Sequence, residues 1–177
     1  MSKPLDNLNP TQKAIRKINK PIDTGIVGSG KLPPQSVDLE EAVLGALMLE
    51  KGPLNDVIDI INRPDIFYKD AHKKIYEAIQ QLFSESESID ILTVSQRLRQ
   101  NGHLEACGGP YYISQLTNRV ASAAHAETHA RIIVQKFILR ELIRISGKVI
   151  QQAYDETTDV FNLLDEAESE LFAVAEG

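Results

Sequence analysis

The residues best suited to chemistry lie in a few short runs. Gly25, Gly30 and Lys31 have the spacing of a phosphate-binding P-loop. The next position should supply a Ser or Thr hydroxyl for magnesium, and here it is Leu32. Such a loop must also follow a buried strand and open a helix whose amides hold phosphate. Pro21 interrupts the segment upstream, and Pro33 and Pro34 stop any helix from Lys31. The run therefore reads as a linker. His125 and His129 share one helix face, as metal ligands often do. Their order around Glu127 is not that of a zincin, and no third ligand is placed nearby, so ordinary surface histidines near a helix start fit better. His72 reads as structural, a capping or packing group, and His103 beside Gly102 as a turn residue. Cys107 has no basic activator in sequence and is expected to be inert. The pairs Glu40/Glu41 and Glu168/Glu170 look like solvated helix faces. No catalytic residue, cofactor site or metal site emerges, and by elimination the chain reads as an interaction module.

The elements that carry these residues follow from composition and pattern. The chain has 177 residues, 42% hydrophobic and 25% charged, with a single cysteine and no Trp. That balance excludes a disordered chain, a collagen and a disulfide scaffold. No apolar run approaches the roughly 18 residues needed to span a bilayer. Nor is there an apolar signal segment, so the expected location is the cytoplasm. The net charge of −6 is uneven: residues 1–31 hold six basic and two acidic groups, and the remainder 13 basic and 23 acidic. So acidic a surface repels phosphate, which argues against nucleic-acid binding by the folded part.

Residues 1–32 lack periodicity and read as a flexible basic arm. Order begins near Pro33, with Ser36 as a candidate N-cap. Helices are predicted at about 37–50, 53–61, 70–84, 91–101 and 110–119. In the first of these, Leu39, Val43, Ala46 and Leu47 share one face. Asp90 and Gly102 are the expected cap and stop of the fourth. A long helix follows from about 126 to 154, then a short turn and a last helix at about 159–175. No alternating strand pattern is present. The class is all-α: a compact helical bundle at 33–119, followed by a long antiparallel helical hairpin at 126–176.

At about 100° per residue, Ile132, Leu139, Ile143 and Ile150 fall within roughly 40° of one another. Val134, Ile138, Leu142, Ile145 and Val149 form a second stripe, centred about 120° away. In the last helix, Val160, Leu164, Ala167, Leu171 and Val174 have the spacing of a coiled-coil seam. One stripe must pack the partner helix. The other must be covered, because large exposed apolar patches are uncommon. Two readings stay open: a helix sandwiched within one monomer, or pairing of hairpins between copies.

Short runs follow one another along the chain: Leu32–Ser36, Glu40–Leu49, Asp65–Tyr68 with His72 and Ile75, Ile89–Thr93, Leu104 through Gly109 with Tyr112, Ser122–Ala124, and Leu163–Glu168. This ordered series resembles the N-terminal collar of bacterial replicative DNA helicases of the DnaB family. The resemblance implies a helical globule and hairpin that assembles into dimers and a hexameric ring and recruits primase, with a helicase loader as a further partner. It carries partner contacts to Tyr112, Ile143 and Val149. Together with the stripes, the candidate interface set is Tyr112, Ile132, Leu139, Ile143, Val149, Ile150, Leu164 and Leu171. It also implies that ATP, magnesium and DNA are bound only by an ATPase motor domain absent from this chain, which ends at Gly177 where the linker to that motor would begin. The alternative is a freestanding helical adaptor or regulator of replication. A motor sequence or a stop codon after Gly177 in the reading frame separates the two.

Overall fold

A computed structural model describes residues 30–120 and 122–176. The arm read over 1–32 and the run Gly25–Lys31 fall outside these residues, apart from their last positions. All regular structure among the described residues is helical: α1 (Val37–Leu49), α2 (Leu54–Ile60), a 3₁₀ turn (Pro64–Ile66), α3 (Asp70–Ser84), α4 (Ile91–Gln100), α5 (Gly109–Asn118), α6 (Ala126–Ala153) and α7 (Val160–Glu176). Each boundary lies within about two residues of the one predicted from pattern, the usual scatter of helix ends.

Local chemistry explains the ends. Asp90 caps α4 through Oδ1, which accepts from the amides of Leu92 at 2.8 Å and Thr93 at 3.0 Å. The Asp90 amide in turn donates to Thr93 Oγ1 at 3.0 Å, closing a capping box. Gly102, at φ +73°, ends the helix as expected. Asp159 Oδ1 accepts from the amides of Phe161 and Asn162 and starts α7. Ser36 does not cap α1 with its side chain. Its carbonyl instead accepts from the amides of Leu39 and Glu40, both at 3.1 Å.

Helix α1 is the centre of the bundle, packed against α6 on one side and α5 and α3 on others. One apolar face does not describe it, because Val43 through Met48 are all buried. Gly45 is part of the reason: α5 approaches so closely that a Cβ there would collide with the Leu116 carbonyl. Ile75, Tyr76, Ile79 and Leu82 of α3 fill the same core with Phe67, Leu98 and Ile113. Each such side chain contributes roughly 1.5–3 kcal/mol on burial. The Tyr76 hydroxyl is satisfied by the Ile61 carbonyl at 2.7 Å. Ala126, Ala130, Ile133 and Phe137 belong to this core too, so the first half of α6 is built into the bundle.

Arg140 fastens the bundle's opening segment to α6. Its guanidinium donates to the carbonyls of Pro34 at 2.9 Å and Ile66 at 2.7 Å. It also lies over the rings of Tyr68 and Phe137, both at 5.6 Å. Burial pushes its pKa below the usual arginine range, with Glu40 opposing.

Candidate assembly surface

Beyond its contacts with the bundle, α6 pairs with α7. Asp155 shapes the turn between them, accepting from the Thr157 amide at 2.9 Å and its hydroxyl at 2.7 Å. The hydroxyl, then the amide, hold its carboxyl below the usual range. The hairpin is clamped by charge. Glu170 accepts from Lys148 Nζ at 2.6 Å and is ion-paired with Arg144 Nη2 at 2.9 Å, and Glu166 lies 3.2 Å from Lys148. Lys148 first, then Arg144, hold the Glu170 carboxyl below its usual range. Glu170 is thus half-buried and paired, not the solvated residue its sequence suggested, whereas Glu168 is exposed.

The face of α7 turned inward differs from the seam expected from spacing. Leu163, Ala167, Glu170 and Val174 are half-buried, whereas Val160, Leu164 and Leu171 are exposed. Shared positions 167 and 174 lie at the margin of both stripes, so spacing alone did not choose between them. The outward face carries Val160, Phe161, Leu164, Leu171 and Phe172, with Leu164 63% and Phe172 61% exposed. Leu164, Ala167, Glu168, Leu171 and Phe172 line one open groove. No residue of α7 is buried.

On α6 the stripe of Ile132, Leu139, Ile143 and Ile150 points away from the chain's own packing. Ile143 is 53% exposed, Leu139 is exposed, and Ile132 and Ile150 are half-buried. The second stripe turns inward only in part: Ile145 is buried, Val134, Ile138 and Val149 are half-buried, and Leu142 is exposed. Among the described residues, both hairpin helices keep an apolar face uncovered, and such faces mark contact sites.

Tyr112 sits elsewhere, on α5, and its ring is half-buried. Its hydroxyl turns inward, 2.7 Å from His72 Nε2 and 3.0 Å from Glu41 Oε1, and accepts from Lys69 Nζ at 2.9 Å. The exposed ring on this helix is that of Tyr111. Burial first, then Glu41, hold the Tyr112 phenol above its usual range. The expectation that Glu40 and Glu41 form a solvated face fails here. Glu40 is 1% exposed, bonded to His72 Nδ1 at 2.6 Å and to the Tyr68 amide at 2.7 Å. Glu41 is buried and paired with Arg119. His72 is 0% exposed and joins α1, α3 and α5.

The other residues flagged for chemistry are dispersed. Cys107 is buried, and burial pushes its thiol up. The rings of His125 and His129 lie 6.2 Å apart. Among the described residues, no group of three His, Cys, Asp or Glu side chains could hold a metal ion. Nor is any described helix long and apolar enough to cross a membrane.

Comparison with known proteins agrees with this geometry. Residues 32–135 match the family model of the DnaB-like helicase N-terminal domain. The replicative DNA helicase DnaB of Rhodothermus marinus is 44% identical over 148 residues, 84% of this chain and 16% of that protein. The Geobacillus stearothermophilus replicative DNA helicase DnaB is 37% identical over 148 residues, 84% of this chain and 32% of that protein. This chain thus spans a third or less of the length of these relatives. The crystal structure of the N-terminal domain of DnaB helicase from Mycobacterium tuberculosis superposes with a TM-score of 0.75 at 35% identity, covering 80% of this chain and 99% of that one. A DnaB-like replicative helicase, described together with its interactions with primase, superposes with a TM-score of 0.63 at 25% identity, covering 78% of this chain and 31% of that one. By sequence and by fold, the chain belongs to the family of DnaB-like helicase N-terminal domains.

Proposed function

We propose that this chain is the assembly and recruitment module of a replicative DNA helicase. It holds copies together through the hairpin and offers a dock to primase, with no chemistry of its own. DNA unwinding, ATP and magnesium belong to a motor domain outside it. The observation that carries this reading is the hairpin's uncovered apolar surface: Ile143 on α6, and Leu164 and Phe172 on α7. A solitary molecule keeps such surface in water at a cost that a second copy removes. The proposed contacts are Ile132, Leu139, Ile143, Val149 and Ile150 on α6, and Leu164 and Leu171 on α7. Pairing through one hairpin face and further contact through another surface would build a closed ring. The related helicase described with primase supports the second partner.

Sedimentation of the purified chain, alone and mixed with the cognate primase C-terminal domain, tests both halves. Self-association is expected, and Ile143→Asp should weaken it without unfolding the chain, since the residue is half out in water already. A wild-type chain that stays monomeric at high micromolar concentration removes the assembly half. Absence of co-sedimentation with primase removes the other.

A further inference from the structure

The buried polar junction of α1, α3 and α5 can be read hydrogen by hydrogen. Glu40 accepts the amides of Tyr68 at 2.7 Å and Lys69 at 3.4 Å, and as a carboxylate it offers only acceptor oxygens. A hydrogen on His72 Nδ1, 2.6 Å from Glu40 Oε2, then pairs donor with acceptor. The Tyr112 hydroxyl has one hydrogen and three neighbours. Lys69 can only donate to it. Glu41, ionised against Arg119, can only accept from it at 3.0 Å. If His72 Nε2 were bare, it and Glu41 would compete for that single hydrogen. One close contact would then set acceptor against acceptor, at a cost a buried site does not tolerate. With a hydrogen on Nε2, every contact pairs a donor with an acceptor: Nδ1–H to Glu40, Nε2–H to the Tyr112 oxygen, Tyr112 O–H to Glu41, and Lys69 Nζ–H to the Tyr112 oxygen.

The structure assigns His72 a hydrogen on each ring nitrogen, making the buried imidazolium–Glu40 pair and Tyr112 a hydrogen-bonded latch of α5 onto α1 and α3. The charged groups facing it are Glu40 and Glu41 from α1, Lys69 ahead of α3, Arg119 after α5, and Arg140 of α6, which acts on Glu40. Removing the Nε2 hydrogen leaves Glu40 buried without its counter-charge and forces the Tyr112 hydroxyl to abandon either His72 or Glu41.

Nitrogen-15 NMR of the full chain at pH 7 tests this with long-range ring correlations. Both nitrogens of His72 should show bound hydrogen; a bare nitrogen in the wild type overturns the assignment. Tyr112→Phe keeps the ring and deletes the acceptor of Nε2–H. The Nε2 resonance should then move from its wild-type position, and an unchanged His72 nitrogen spectrum would show that the hydroxyl is not part of the latch. Should that variant fail to fold, the wild-type spectrum alone decides, by the presence or absence of hydrogen on both ring nitrogens.

Discussion

Consider the double substitution Leu164→Ala with Phe172→Ala on the outer face of α7. A fully buried Leu or Phe contributes about 1.5–3 kcal/mol. These two are 63% and 61% exposed in the single copy, so about three-fifths of that remains to be gained on association. Each then supplies about 1–2 kcal/mol, and the pair about 2–4 kcal/mol. At 1.4 kcal/mol per tenfold, the dissociation constant of the self-complex should rise about 30- to 700-fold. That is a lower bound, because both copies present the face in a two-fold contact. Sedimentation equilibrium measures the constant. Thermal melting followed by circular dichroism supplies the control, because α7 contains no buried residue and the folded monomer should lose at most about 0.5 kcal/mol. An unchanged constant with unchanged melting would show that this face is not used. A large drop in melting temperature would show that it is needed within one copy, and the reasoning from exposure would fail.

Gly45→Ala should cost about 1–3 kcal/mol, because the added methyl meets the backbone of Leu116 and α5 must move; urea unfolding with an unaltered midpoint would contradict the close approach. Tyr76→Phe should cost about 1–2 kcal/mol by leaving the buried Ile61 carbonyl without its donor, read from the same unfolding curves. Arg140→Ala should free the segment around Pro34, and limited proteolysis should cut there sooner than in the wild type while the bundle stays intact. Glu170 is held below its usual range by Lys148 and Arg144, so its contribution is present above about pH 4.3 and lost as pH falls through the lowered value. The acid limb of the melting profile should therefore flatten in Glu170→Gln, and an identical limb would remove the clamp from the hairpin's stability.

The helices were legible because their signals are local. Asp90 with Thr93, Gly102, and the proline after Gly109 mark ends within one turn of where they occur. The apolar stripes of α6 were legible as stripes, but not as to which was covered. Ala126 and Ala130 are too small to stand out as core residues, yet they let α6 sink into the bundle beside Ile133 and Phe137. The polar junction was not legible. Glu40 and Glu41 have the pattern of first-turn acids that favour a helix N-terminus, and nothing near them reveals their burial. Their partners His72, Tyr112 and Arg119 arrive from 32 to 78 residues away. A histidine on an otherwise apolar helix face, opposite two consecutive acids, was the only hint available.

The single helix α6 runs unbroken for 28 residues, about 42 Å at 1.5 Å per residue. Its near end is cemented among the bundle side chains and its far end carries the hairpin tip. No kink-making proline interrupts the shaft. A push on the tip therefore reaches the globule as tilt and torque instead of being absorbed at a joint, and in the proposed assembly copies gripped by their hairpins swing their globules as rigid paddles on spindles.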